Sequence, residues 1–273
     1  PGHYGNLDIA QAKQLSAFKR ALTKTSFLPD PAMVDEEHQD TILLRFLRAR
    51  DWNVQHAFKM YSDTIKWRKD VDLPSMMQGS FDFEERDKVA AGGWKMYFHG
   101  TDKFHRPIFV QDLAGLNTTE VFTHTTPDRV INFFACMLED AVQRRYRACT
   151  SRVRRLCVDD NFMILNVAGI GMGTFWAFKG QLQQLLGILD TNFPELSGRV
   201  QIINAPWLFS TIWSYIKGWL PVNTAEKIDI VGTDFKAKLL EFIDEEQLPS
   251  SIGGSCQCGG KGCEFSDIGP WQE

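Results

Sequence analysis

The most apolar stretch of the chain runs from residue 193 to residue 231, FPELSGRVQIINAPWLFSTIWSYIKGWLPVNTAEKIDIV. Residues 200–203 and 228–231 read as short buried strands, and the segment between them is too apolar for an ordinary surface helix. From residue 205 to residue 225 the sole charge is Lys217. Phe209, Ile212, Trp213, Ile216, Trp219 and Leu220 recur at helical spacing, while Trp207, Leu208 and Tyr215 widen that face beyond what one packing contact needs. At about 14 residues the segment is too short to cross a bilayer. It is either a buried core helix or a cover over something apolar that comes and goes.

Residues 1–75 pattern as helices. A polar amphipathic helix at 11–24 ends before Pro29 and Pro31; a second, at 40–50, has Asp40 as N-cap and Ile42, Leu43, Phe46 and Leu47 on its apolar face. Asn53 caps a third at 54–69, and Pro74 closes the unit. The period then changes. Residues 94–100 and 106–112 form a predicted hairpin around a polar turn at 101–105, followed by a helix at 128–145. An apolar strand at 162–167 runs through GIGMG (169–173) into a helix at about 174–190, and a last helix at 234–241 precedes a loop-rich tail. Strand, helix, strand, helix, strand predicts an α/β fold with a mainly parallel sheet and right-handed crossovers. The expected division is an all-helical lobe at 1–75 and an α/β lobe at 76–273 that includes the tail.

Charge narrows the function classes. A net charge of -4 and a pI near 5.9 argue against a nucleic-acid binder. Twenty Phe and eight Trp suit a large core or a large apolar cavity, without separating the two. Six cysteines without a paired rhythm, no signal-peptide pattern, no lipidation signal and no run of 18 apolar residues lead us to expect a soluble intracellular chain with reduced thiols.

Candidate chemistry is sparse. GIGMG lacks the spacing and the later acid of a dinucleotide loop and reads as a tight strand-to-helix turn. Cys149 to Arg155 spells C-x5-R, but the cysteine follows a helix where a phosphatase cysteine would follow a strand. Cys256, Cys258 and Cys263 offer three soft ligands where structural zinc takes four, and the tail holds no other; no metal is assigned. The run RRYRACTSRVRR at 144–155 carries six Arg, a solvated helix end or a patch for docking on an anionic membrane, where each basic residue is worth about 1 kcal/mol. No catalytic signature stands out.

Several stretches in order, LLRFLRARDWNVQHAFKMYSDTIKWRKD, DKFHRPIFVQDLAGLN, FPELSGRVQIINAPWLFSTIW and LPVNTAEKIDIVGTD, then LPSSIGGSC and SDIGPW, together resemble the CRAL-TRIO lipid-binding proteins. The nearest likeness is to the phosphatidylinositol/phosphatidylcholine transfer group that supports secretion in fungi. The resemblance implies a helical lobe and an α/β lobe whose sheet floors an apolar lipid pocket. Residues 206–224 become a gate helix and loop, with Trp207, Phe209, Ile212, Trp213, Ile216 and Trp219 as its apolar residues. A door of this kind has a physical reason: about 30 exposed methylenes of two acyl chains would cost roughly 25 kcal/mol at about 0.8 kcal/mol each. Tryptophans suit a door that meets the headgroup level.

The family's phosphatidylinositol headgroup site maps onto Arg50, Glu195, Thr224 and Lys227. These side chains can accept from inositol hydroxyls (Glu195) and donate to phosphate and ring oxygens (the other three). A structural ion pair is the plainer reading of Glu195 and Lys227. The phosphatidylcholine site is altered: Asn161 and Met163 stand where two hydroxyl residues are expected, Phe98 and Phe109 where two tyrosines are. Each missing hydroxyl costs a buried phosphate about 1–3 kcal/mol. Tyr97 would restore one if the hairpin register moved by one residue. The resemblance thus implies a non-enzymatic, cofactor-free carrier of phosphatidylinositol, with weakened phosphatidylcholine binding and room for another apolar lipid such as a sterol. It implies a cytoplasmic monomer in transient contact with membranes that presents lipid to inositol-lipid kinases. The alternatives are a lipid-sensing module without net transfer, and an α/β enzyme built on GIGMG or Cys149.

Overall fold

The computed structural model of the chain describes residues 1–25, 27, 36–153 and 157–272. The first helix, α1 (Ile9–Leu22), opens on a capping box in which Asp8 accepts from the Gln11 amide at 2.8 Å and Gln11 accepts from the Asp8 amide at 3.1 Å. Pro29 and Pro31, expected to end it, lie outside the described residues. The second, α2 (Glu36–Arg48), starts a turn before the expected cap. Asp40 sits inside it, its carboxylate drawn to Lys19 of α1 at 2.8 Å instead of to its own helix amides. Asn53 does cap α3 (Val54–Asp70), accepting from the His56 amide at 3.0 Å. Leu15, Phe18, Leu22, Leu43, Leu47 and Tyr61 bury the apolar faces of these helices against one another.

Two short helices, α4 (Leu73–Ser75) and α5 (Arg86–Ala91), lead to the hairpin β1 (Lys95–Thr101) and β2 (Pro107–Asp112). After α6 (Thr118–His124), α7 (Pro127–Asp140) continues through a wider π-helical turn into α8 (Tyr146–Arg152), so the single helix expected at 128–145 is a jointed one. Then come β3 (Asn161–Asn166), α9 (Met172–Asn192), β4 (Ser197–Ile203), α10 (Phe209–Lys217), α11 (Val222–Ala225), β5 (Ile228–Ile230) and α12 (Lys236–Leu240).

The five strands lie in chain order, β1 antiparallel to β2 and the rest parallel. Alternation along each strand sorts the side chains between two faces. Register aligns Phe98, Phe109, Met163, Val200 and Ile228 in one row across the sheet, on the face covered by α7, α9 and α10. Tyr97, Ile108, Val110, Phe162, Ile164 and Ile203 point to the other face, where α12 and the tail bring Leu239, Ile243, Leu248 and Ile252. Polar ties join the helices to the sheet region. Arg68 grips Glu139 at 2.6 and 2.5 Å, and His3 and Arg48 reach Asp159 at 2.9 and 2.8 Å. Burial raises the Asp159 carboxyl, but the His3 hydrogen bond and the Arg48 and Arg45 charges outweigh it and hold its pKa well below the usual range.

Candidate functional site

Between β4 and β5 the chain crosses the sheet face lengthwise. It leaves the carboxyl end of β4, runs through α10, and returns through α11 to the amino end of β5. Phe209, Ile212 and Ile216, spaced three and four apart, are all buried beneath α10. Under them lies a cavity of about 110 Å³ with almost wholly apolar walls: Met163, Leu165, Val200, Ile202 and Ile228 from the sheet, and Phe178, Leu182, Leu186 and Leu189 from α9. Trp213 and Leu220 complete the cover.

A cleft of about 100 Å³ that mixes charged and apolar walls adjoins it at the amino ends of β4 and β5 and shares Leu186, Leu189, Ser197, Leu220 and Thr224. Arg50, Glu195, Thr224 and Lys227, drawn from three separate stretches, all line it. Lys227 donates to Glu195 Oε2 at 2.8 Å. The two meet because Lys227 directly precedes β5 and Glu195 lies two residues before the adjacent parallel β4, and the Lys227 carbonyl accepts from the Val200 amide at 3.0 Å. Glu195 has φ +57, a left-handed backbone that a non-glycine residue adopts at a cost and that recurs at functional positions. Arg50 lies beside another left-handed reversal, Asp51 and Trp52 at φ +49 and +62, and donates to the Ala49 carbonyl at 2.8 Å. Among the described residues no carboxylate pairs with it. The ion-pair reading of Glu195 and Lys227 and their place on the cleft wall therefore coexist. Asp190, Ser197 and Asn223 also line the cleft, so its two cations face two carboxylates. The sequence reading passed over all three, although Asn223 adjoins Thr224 in NTAEKI.

The four altered positions separate. Met163 is on the cavity wall. Phe98 and Phe109 stack with centroids 4.7 Å apart, Arg145 lies over Phe98 at 4.6 Å, and Trp271 meets Phe98 edge-on at 6.4 Å, so this end of the row is filled by core. Asn161 is buried, donates to the Tyr146 hydroxyl at 3.0 Å, and leaves its Oδ1 without a hydrogen-bond partner among the described residues. Tyr97 pairs with Val110 on the opposite face, so the register shift that would restore a hydroxyl is not adopted.

Of the gate residues, Trp207 precedes α10 and is 86% exposed, whereas Trp213 and Trp219 are half-buried against the core. Trp176, Leu208, Tyr215 and Val222 are exposed around them, with Trp176 edge-on to Tyr215 at 5.4 Å and Lys179 over Trp176 at 5.0 Å. An apolar rim thus surrounds the cover.

The tempting motifs resolve differently. GIGMG turns at Gly169 (φ +76), and its Ile170 faces the apolar cavity. Cys149 is buried in α8, where desolvation pushes its thiol up to about 12, the reverse of what a nucleophile needs. Arg144 and Arg145 are no docking patch. Arg144 is paired with Asp140 at 2.9 Å and Asp267 at 3.3 Å, and the buried Arg145 is bonded to the same two acids. Arg154 and Arg155 lie outside the described residues. The cysteine tail gains the donor that it lacked: His99 of β1, with Cys256, Cys258 and Cys263, places four ligand atoms within 4.8 Å of one another. No described helix is long and apolar enough to cross a membrane.

Residues 91–254 match the CRAL/TRIO domain, and residues 14–63 match the CRAL/TRIO N-terminal domain. The chain is similar to the Sec14 cytosolic factor of Schizosaccharomyces pombe, 33% identical over 272 residues, 100% of this chain and 91% of that one. It is similar to the phosphatidylinositol/phosphatidylcholine transfer protein SFH12 of Arabidopsis thaliana, 34% identical over 271 residues, 97% of this chain but 48% of the plant protein, about half its length. The SEC14 cytosolic factor of Candida glabrata is 33% identical over 275 residues, 100% of this chain and 88% of that one. The crystal structure of Sfh5 superposes with a TM-score of 0.69 at 14% identity, covering 96% of this chain and 92% of that chain, which shows a shared fold. Sequence and fold agree, and the chain belongs to the CRAL/TRIO family.

Proposed function

We propose that this protein is a non-enzymatic carrier that takes phosphatidylinositol from one membrane and delivers it to another. The acyl chains occupy the cavity beneath α10, and the inositol phosphate occupies the cleft of Arg50, Glu195, Thr224 and Lys227. The observation that carries this reading is the shared wall: an apolar cavity adjoins a cleft lined by two cations (Arg50, Lys227), two carboxylates (Asp190, Glu195) and two hydroxyls (Ser197, Thr224). An amphiphile with two apolar chains and a hydroxyl-rich anionic head fits that sequence of environments. The exposed rim of Trp176, Trp207, Leu208, Tyr215 and Val222 supports a peripheral, transient contact with the bilayer surface.

The filled aromatic end of the row and Met163 on the cavity wall support weakened phosphatidylcholine binding and leave a second, less polar ligand such as a sterol admissible. On this reading the chain acts as a cytoplasmic monomer of two lobes, 1–75 and 76–273, without a catalytic residue. Presentation of the lipid to inositol-lipid kinases is its downstream use. Mass spectrometry of lipid extracted from the purified protein is the direct test. Phosphatidylinositol is the expected species, and abundant phosphatidylcholine would refute the proposed preference. Stable binding without transfer between vesicles would point to a sensor.

A further inference from the structure

On the sheet face opposite the lipid cavity, the tail CQCGGKGC folds its three thiols around His99. We propose that His99, Cys256, Cys258 and Cys263 form a structural zinc site that fastens the C-terminal tail to β1. Cys256 Sγ and Cys258 Sγ are 3.3 Å apart, and Cys258 Sγ is 3.8 Å from His99 Nδ1 and 4.0 Å from Nε2. Zinc bonds of about 2.3 Å to sulfur and about 2.0–2.1 Å to nitrogen put tetrahedral ligand atoms roughly 3.6–3.8 Å apart, close to this arrangement. Three thiolates and an imidazole are soft donors that favour zinc over magnesium or calcium. Binding would displace the thiol protons to solvent, and the metal supplies the charge that makes a partly buried thiolate cluster tolerable.

The surroundings look built for it. His99 sits at the irregular end of β1, where register shifts between Phe98 and Thr101, and is fully buried although no described carboxylate pairs with it. Ser266 Oγ lies 3.3 Å from His99 Nδ1 and donates to the Cys263 carbonyl at 2.9 Å. If the hydroxyl accepts from Nδ1–H, Nε2 is left for the metal; such outer-sphere bonds orient ligating histidines. The chain turns sharply enough to converge the thiols because Cys258 and Gly262 take left-handed φ values of +48 and +88. Beyond the cluster the tail continues to Asp267, which accepts from Arg145 at 2.8 Å, and to Trp271 against Phe98. A metal here would therefore steady the aromatic end of the lipid-facing row from behind.

The test is metal analysis of the full chain purified without chelators. Stoichiometric zinc by inductively coupled plasma mass spectrometry, released by a mercurial reagent and lost in Cys258→Ser and His99→Ala but kept in Cys136→Ala, is the expected result. Because a ligand variant can fail to fold, the unaltered chain is also stripped and reloaded with cobalt(II). It should show sulfur-to-cobalt charge transfer with the intense visible bands of a tetrahedral site, and melting should recover with zinc but not with magnesium. Metal-free protein with freely titrating thiols, a Cys256–Cys258 disulfide, or iron or copper in place of zinc would overturn the proposal.

Discussion

Replacing Lys227 with alanine separates the two roles that its geometry allows. As a partner of Glu195 alone, it belongs to a partly exposed ion pair with about a quarter of its side chain accessible, and such pairs contribute about 0.2–1 kcal/mol. Melting would then fall by no more than about 2–4 °C in a chain of this size. As a donor to an inositol phosphate, it makes a charge-assisted hydrogen bond worth about 1.5–3 kcal/mol, or roughly a 10- to 150-fold loss of affinity. The assay is transfer of labelled phosphatidylinositol between donor and acceptor vesicles, beside an apolar lipid probe and calorimetric melting. Glu195→Gln completes a double-mutant cycle, because it keeps an acceptor for inositol hydroxyls but releases Lys227 from its carboxylate. The expected outcome for Lys227→Ala is a selective loss for phosphatidylinositol at nearly unchanged stability. Equal loss for both lipids, or a loss that follows the melting temperature across the cycle, would refute the headgroup role.

Further outcomes follow from other parts of the structure. Restoring hydroxyls with Phe98→Tyr, Phe109→Tyr, Asn161→Ser and Met163→Thr should raise the phosphatidylcholine share of extracted lipid; an unchanged share would show that those positions do not select it. Trp207→Ala should leave stability within about ±0.5 kcal/mol, because the ring is 86% exposed, yet weaken vesicle binding and slow transfer several-fold. Sedimentation with vesicles reads the first effect. Asp160 carries a penalty of its own: desolvation and the neighbouring Asp159 charge push its carboxyl up to about 6. Its folded pKa lies above the unfolded value, so the native state binds more protons and stability falls as pH rises from about 4 to about 6. Asp160→Asn should abolish that fall and stabilise the protein at pH 7 by about 1–2 kcal/mol, measured by urea unfolding across pH.

Much of the architecture was legible because it is local. Short apolar runs bounded by turns located the hairpin and the parallel strands, and helical spacing found Phe209, Ile212 and Ile216 before any contact was known. What escaped depends on partners far along the chain. Asp40 looks like a cap until Lys19 of another helix takes its carboxylate. The arginines at 144 and 145 look solvated until Asp267, 122 residues beyond Arg145, folds back onto them. His99 carries no signal in KMYFHGT, and only the count of three cysteines asked for a fourth donor. The likeness to CRAL-TRIO proteins nominated Arg50, Glu195, Thr224 and Lys227, and nothing in their spacing says that they share one wall. That is a fact of strand order.

The question first raised by the apolar stretch was whether α10 is core or cover, and its bonding distinguishes the two. Its one side-chain hydrogen bond among the described residues stays within the helix, from Ser214 to the Thr211 carbonyl at 2.7 Å. Everything beneath it is apolar contact, which has no directionality and can be exchanged for another apolar partner. Burying Phe209, Ile212 and Ile216 contributes about 1.5–3 kcal/mol each, so lifting them costs roughly 5–9 kcal/mol. The roughly 25 kcal/mol of two sheltered acyl chains exceeds that. The cavity of about 110 Å³ is smaller than the roughly 300–1,000 Å³ of drug-sized sites, so a two-chain lipid can enter only if α10 moves. Residues 204 and 205 are pinned to the two residues that follow β5, through the Asn204 amide to the Gly232 carbonyl and the Ala205 amide to the Val231 carbonyl at 3.2 Å each, which leaves the motion to the helix beyond them. Amide exchange should therefore be faster in residues 209–217 than in α9, and should slow when phosphatidylinositol vesicles are added. Equal protection of α10 and α9, unchanged by lipid, would make α10 a core helix after all.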